Sequence, residues 1–275
     1  MKNFLAGLGC LFIFSFGFGQ GAVHFTMGLL PNNSYDQSVN QKIRIELNLD
    51  SSTADMIEKM EANGVKNPTV QEQEINMEAV TVSGSLNKQT GRIPVTMSII
   101  KSDGNLASML TPETKFLGST RLNEMPVYDS ISGITLQENQ KQQILKAMSS
   151  LSQINLPNKS LVPGQSDTLH TPISIPVGSI VMKMDYITIY HLKSIREKTA
   201  LFDVDANFVL NMEVKDLPMS GYGSGSGSME YDMEKHYPVV YKLKYKIIMR
   251  IAREGLILHM NMFSDLSSLS TVHSL

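Results

Sequence analysis

The sequence predicts a mainly β protein: a curved antiparallel sheet, built as a sandwich or a partly open barrel, with two accessory helices. Apolar and polar residues alternate strictly in several long segments, the pattern of a strand with one buried face. Each such segment has a single apolar face, which suits antiparallel sheets rather than parallel ones covered on both sides. Only two segments carry helix signals, too few for repeated strand–helix–strand units.

The N-terminus reads as a signal peptide over residues 1–19. Lys2 supplies positive charge, residues 4–16 form an apolar run, and Gly17-Phe18-Gly19 places small residues before an expected cleavage at Gln20. The one cysteine, Cys10, lies inside that apolar run, which continues through Phe14, so it is read as an ordinary signal residue and not a lipidation site. The mature chain then has no thiol for a disulfide, a metal or nucleophilic attack. Residues 20–265 are long enough to bury a large core as one β-rich domain or as two halves, 20–155 and 156–265.

In VNQKIRIELNLD, Val39, Ile43, Ile45, Leu47 and Leu49 share one face, against Lys42, Arg44, Glu46 and Asn48. RIPVTMSI repeats the pattern with Ile93, Val95, Met97 and Ile99, and follows VTVSGSL across a loop in which Gly91 suits a hairpin. LFDVDANFVLNME sets Phe202, Val204, Ala206, Phe208, Leu210 and Met212 against Asp203, Asp205, Asn207, Asn211 and Glu213. YKLKYKIIMRI sets Tyr241, Leu243, Tyr245, Ile247, Met249 and Ile251 against Lys242, Lys244, Lys246 and Arg250. A last strand is expected over residues 256–263, and residues 266–275 are expected to fray. Ser52, with Gly64 as a stop, brackets one helix; Thr135 and Glu138 form a capping box for the other. Pro157, Pro163, Gly164, Pro172 and Pro176 punctuate an expected connection between the halves.

GYGSGSGSMEYD, residues 221–232, admits three readings. A phosphate loop must lead into a helix whose N-terminus faces the anion, yet this run leads to MEYDMEKHYP, without a helical stripe. A flexible linker is the second reading. The third, preferred here, is a strand whose bare backbone packs closely on its neighbours.

The segment LPNKSLVPGQS, the turn at residues 192–195 and GSGSGSMEYDMEK together resemble an uncharacterised family of exported β-rich proteins common in Bacteroidota envelopes. Leu156, Pro157, Lys159, Gly164 and Ser166 match its pattern, and Gln165 and Asp167 depart from it. LLPNNSYDQ resembles the family's opening strands. The resemblance implies a β-rich extracytoplasmic fold, no known catalytic residues, and a Gly/Ser run that belongs to a hairpin.

Catalytic and metal signals are sparse. His24, His170, His191, His236, His259 and His273 show no metal-ligand spacing. DVDAN opens like a calcium loop, but Phe208 stands where glycine is needed and Val214 where a bidentate glutamate is needed. No nucleophile elbow is present, and local spacing assembles no Ser/His/Asp set. No catalytic residue, metal or cofactor is therefore expected. The formal net charge of −2 gives no pull toward nucleic acid, and no segment after the leader is long and apolar enough to be a transmembrane helix.

The basic stripe Lys242, Lys244, Lys246 and Arg250 is a candidate contact for anionic lipid or glycan, with cross-strand pairing to Asp203, Asp205 and Glu213 as the structural alternative. The expected function is a non-catalytic exported protein, periplasmic or extracellular, that binds a hydrophobic ligand or an envelope partner: lipid, glycan or protein. The alternatives are an interaction module without a small ligand, and a hydrolase whose site assembles from distant residues.

Overall fold

The computed structural model describes residues 22–51, 58, 62–64, 66–103, 110–133, 137–151, 157, 159–177, 180–214, 217–253 and 256–275. The expected signal peptide, Cys10, the Thr135 cap and most of the expected helix after Ser52 lie outside these residues.

The described chain runs β1 (Val23–His24), β2 (Asn33–Ser51), β3 (Thr69–Ser83), β4 (Ile93–Ser102), β5 (Lys115–Thr120), β6 (Val127–Ser132) and then the helix α1 (Glu138–Leu151). It continues through β7 (Ser160–Leu161), β8 (Ser166–Val177), β9 (Ile180–Arg196), β10 (Thr199–Val214), β11 (Leu217–Asp232), β12 (Tyr237–Arg253) and β13 (Leu256–Ser274). Eleven of these strands form one antiparallel sheet, ordered β6-β5-β4-β3-β2-β13-β12-β11-β10-β9-β8, and β1 pairs with β7 in a small second sheet.

This order joins two meanders. β2 to β6 walk outward in one direction, β8 to β13 walk back, and β13 closes onto β2. That seam pairs Asn33 with Ser274 at one end and Ser51 with Leu256 at the other. Nineteen residues of strand extend over about 60 Å, so the seam is a long central spine. Both expected halves thus contribute to one sheet.

α1 packs against β6 and against β8, the two ends of the sheet order. The sheet is therefore curled until its edges flank one helix, without closing into a barrel. The helix covers part of the backbone that edge strands would otherwise expose. On the inner face it buries Leu145 against Ala79, Met97, Ile99, Phe116 and Ile131.

Two expectations are corrected by this geometry. Residues 266–275 do not fray: through Ser274 they continue β13, and Val272 pairs with the fully buried Tyr35. The proline-punctuated region is no connection between halves, because Ser160 and Leu161 pair with β1 and residues 166–177 form the edge strand β8. Pro172 and Pro176 are tolerated there because an edge strand has one row of N–H groups without a ladder partner.

The segment before β2 and the β1–β7 pair close one end of the curl. Phe25 packs edge-on to Phe202 and Tyr231, with Leu161, Tyr190 and Leu192 in the same cluster. At the β11–β12 turn, the Asp232 carboxylate accepts the backbone N–H groups of Glu234 and Lys235, which fixes the acidic turn. The opposite end of the sheet carries the β8–β9, β10–β11 and β12–β13 connections.

Candidate functional site

The Gly/Ser run is strand β11, paired on both sides along its length. Gly221, Gly223, Gly225 and Gly227 lie in the rows of Leu210, Phe208, Ala206 and Val204 on β10. On the other side they face Met249, Ile247, Tyr245 and Leu243 on β12. The glycines therefore face inward, and Ser224, Ser226 and Ser228 face outward.

The bare inner edge is a steric requirement. A Cβ on Gly227 would stand 1.8 Å from the carbonyl oxygen of Lys242, and one on Gly225 would stand 2.5 Å from Cβ of Tyr245. With no side chains between them, β10 and β12 bend toward each other until their Cα atoms come within 8 Å across the intervening strand. Phe208 and Tyr245 touch directly, ring centroids 5.2 Å apart, and Tyr186 lies 4.9 Å from Phe208 on the other side.

The opposite wall of the inner face is built from β3, β2, β13 and the far part of β12. Ile45, Leu47, Leu49, Ile75, Met77, Ile251, Leu258, Met260 and Met262 all face inward but are only half-buried. Methionine fits such a surface because its unbranched thioether adapts to irregular neighbours. The inward positions described on β2, β10 and β13 carry no charged side chain, and the inward row of β12 is uncharged from Tyr241 to Ile251 and ends at Arg253.

Between the filled end and this wall runs a polar belt. Gln37 donates to the Tyr237 hydroxyl at 2.8 Å and accepts from Thr81 at 3.3 Å. Gln41 donates to Ser264 at 3.0 Å and to the Tyr245 hydroxyl at 3.4 Å. Among the described residues no buried side-chain nitrogen or oxygen lacks a partner. Burial pushes the phenols of Tyr190, Tyr237 and Tyr241 well above the ordinary tyrosine value, with neighbouring tyrosines adding to the effect. Burial also raises Tyr128 to about 12, against a smaller opposing hydrogen bond with Thr81.

On the outer face, Lys242, Lys244, Lys246 and Arg250 stand exposed along β12. They do not pair with Asp203 or Asp205, because β11 lies between β12 and β10; the side chain of Glu213 lies outside the described ones. Lys244 instead meets Asp265 at 3.0 Å on β13, and the Lys246 ammonium sits 5.1 Å from the centre of the Phe263 ring. Asp203 pairs with Lys193 at 3.1 Å on β9. Asp203 and Asp205, the acids of the calcium-loop match, are spent on the solvated strand face. Among the described residues no group of three His, Cys, Asp or Glu side chains could hold a metal ion.

Between Tyr222 and Glu230, β11 offers only serines to the outside, and there it forms the floor of a trough. One stretch of about 1030 Å³ crosses toward β3, between Lys42 and Arg44 on one side and Lys244 and Lys246 on the other. A second, of about 560 Å³, runs toward β9 and is lined by His191, Asp203, Asp205, Ser226, Ser228 and Lys242.

At that second end lies a constellation that sequence spacing does not show. The Ser166 hydroxyl is 2.6 Å from Nδ1 of His191, and Nε2 of His191 is 3.0 Å from the Asp205 carboxylate. The three residues come from β8, β9 and β10. Their only sequence signal is a polar residue on the outward phase of each strand, and register alone brings them together. No family model matches the sequence, and comparison with curated proteins gives no match.

Proposed function

We propose that the protein is an exported envelope protein whose curled sheet binds a hydrophobic ligand on its inner face, without catalysis there. One observation carries this reading. Inward apolar residues of β2, β12 and β13 near the β12–β13 connection, such as Leu49, Ile251 and Leu258, stay half-buried, whereas inward residues at the other end, such as Tyr35, Ile93 and Phe202, are 0–1% exposed. An apolar wall that its own protein leaves partly uncovered gains free energy when an apolar molecule covers it. The described inward rows of β2 and β13, which carry no charged side chain, favour a hydrocarbon body over an ion. The leader-like residues 1–19 and the resemblance to exported envelope proteins support the compartment.

Native mass spectrometry of protein from its own host tests this directly, with a retained apolar molecule as the expected result. Titration with the fluorescent probe 1-N-phenylnaphthylamine should give saturable binding that Met262→Lys abolishes while the fold survives. Absence of both a retained molecule and probe binding would overturn the reading. A smaller observation favours an interaction module: Val209, Tyr222 and Ile248 lie in one row on the outer face, and Tyr222 is 64% exposed.

A further inference from the structure

We propose that Ser166, His191 and Asp205 form a second site, on the outer face, that hydrolyses small acyl esters of hydroxyl-rich alcohols such as acetylated sugars. The proposal is independent of the inner face and stands on four features of the geometry.

First, nucleophile, base and orienting carboxylate are in line. Asp205 accepts the Nε2–H of His191 and so fixes the tautomer in which Nδ1 carries the lone pair. That lone pair faces the Ser166 hydroxyl at 2.6 Å. The roles match the Ser-His-Asp logic with the two ring nitrogens exchanged, which the chemistry permits because either nitrogen can accept the proton.

Second, the strands hold this arrangement. Ser166 and His191 are direct partners in the β8–β9 ladder. Leu192 donates to Gln165 at 2.9 Å and accepts from Gly164 at 2.7 Å, so the next pair, Ser166 with His191, is one without ladder hydrogen bonds. Side chains approach most closely in such pairs. Asp205 lies two residues diagonally from Asp203, the ladder partner of His191, and Lys193 engages Asp203. Asp205 is thereby left to the imidazole.

Third, the same alternation turns the Ser166 backbone N–H away from β9, toward the sheet edge. It is a donor for the oxyanion that forms when the hydroxyl attacks a carbonyl.

Fourth, the surroundings select the substrate. Beyond His191 the trough offers Ser226 and Ser228 hydroxyls and the side chains of Asp203 and Lys242. This is a polar cradle for an alcohol with many hydroxyls. Along β8 the next outward residue after Ser166 is Thr168, whose ladder partner is Ile189, and this short apolar contact suits a small acyl group.

The step balances without a further reactant except water. Ser166 Oγ forms a bond to the acyl carbon as its proton passes to Nδ1 of His191. The bond from the acyl carbon to the sugar oxygen breaks, and that oxygen takes the proton from Nδ1. Water then attacks the acyl carbon, its proton passes through Nδ1 to Ser166 Oγ, and acetic acid leaves with the serine restored. The Asp205 carboxylate stabilises the imidazolium in both halves without taking its proton. It is a positioning residue.

The experiment uses the folded protein with p-nitrophenyl acetate, p-nitrophenyl octanoate and glucose pentaacetate, and a fluorophosphonate probe mapped by peptide mass spectrometry. The expected results are an adduct on Ser166, release of acetate from the sugar ester, and preference for acetate over octanoate. Ser166→Ala and His191→Gln should each lower acetate release at least about a hundredfold. Asp205→Asn should lower kcat at unchanged KM, with partial rescue by Asp205→Glu. Ser166 is exposed, so Ser166→Ala should melt like the parent, which keeps a loss of turnover interpretable. An unlabelled Ser166, or equal turnover by Ser166→Ala, would overturn the nucleophile; preference for octanoate would overturn the substrate class.

Discussion

The β10–β12 bend and the β13–β2–β3 wall belong to one sheet and share one inner face, yet one is dry and the other half-open. At the bend, four inward glycines on β11 let the flanking strands close over it. The side chains of Phe208, Leu210 and Ile247 are then 2–8% exposed. On the wall, inward residues of β2 and β13 such as Leu47 and Met262 are long, keep their strands apart, and remain half-buried. Side-chain size on a single strand sets local curvature, and curvature decides whether neighbouring apolar groups find each other or await something else.

Filling the bend should break this comparison most severely. Gly227→Val sets a branched side chain where the carbonyl of Lys242 already stands 1.8 Å from the Cβ position, so backbone must move. We expect a loss above about 4 kcal/mol, in the range reserved for a named steric fault. Gly225→Val should act in the same direction, although valine is the better strand former in isolation. A melting temperature unchanged in both variants would show that curvature does not depend on these glycines. Phe208→Ala comes next. It removes the ring that bridges Tyr186 and Tyr245 and should cost about 3–5 kcal/mol in urea denaturation.

Much of the bend was legible in the residues. The alternation in LFDVDANFVLNME and YKLKYKIIMRI marks the faces that turn inward, and the Gly/Ser run between them reads as a strand with its bare backbone close to its neighbours. What the residues could not show was long-range order. Nothing local says that β13 closes onto β2, so LSSLSTVHSL, with serines on its inward phase, looked patternless until Tyr35 and Gln37 proved to be its partners. Prolines at 172 and 176 signalled a connection because their meaning depends on an edge position that topology alone supplies. The basic and acidic stripes looked complementary, and one intervening strand separates them. Ser166, His191 and Asp205 escaped for the same reason, since their proximity is a matter of register among three strands.

Alkaline pH should separate the two regions by a smaller amount. Tyr190 and Tyr241 pack at the bend, and burial raises both phenols above the ordinary value of 10.0. The half-buried stretch of the wall holds no tyrosine. A native phenol held neutral while the unfolded one ionises contributes stability that is fully present below pH 10 and is lost as pH rises above it. The slope reaches ~1.4 kcal/mol per pH unit for each such tyrosine. Urea midpoints measured from pH 9 to 12 should fall, and Tyr241→Phe should flatten the fall. A flat profile in the parent would contradict the burial of these phenols. On the wall, Met262→Ala should cost no more than about 1.5 kcal/mol, because the side chain gives up only part of the burial of a core methionine. A loss as large as that of Phe208→Ala would mean the wall is packed as tightly as the bend.

The smallest effect sharpens the comparison from the other side of the strand. Asn207 neighbours Phe208 in sequence but takes the opposite phase of β10, in the row of Ser224 and Ile187. Its side chain faces outward over the serine floor, where deletion opens no cavity. Asn207→Ala should therefore change stability by no more than about 0.5 kcal/mol, while the adjacent Phe208→Ala is strongly destabilising. Two neighbours with such different costs are the signature of a strand read in the correct phase, because a one-residue slip would exchange their faces. Comparable losses for both variants in the same urea titration would mean that the phase of β10 is wrong, and with it the inward placement of the glycines opposite.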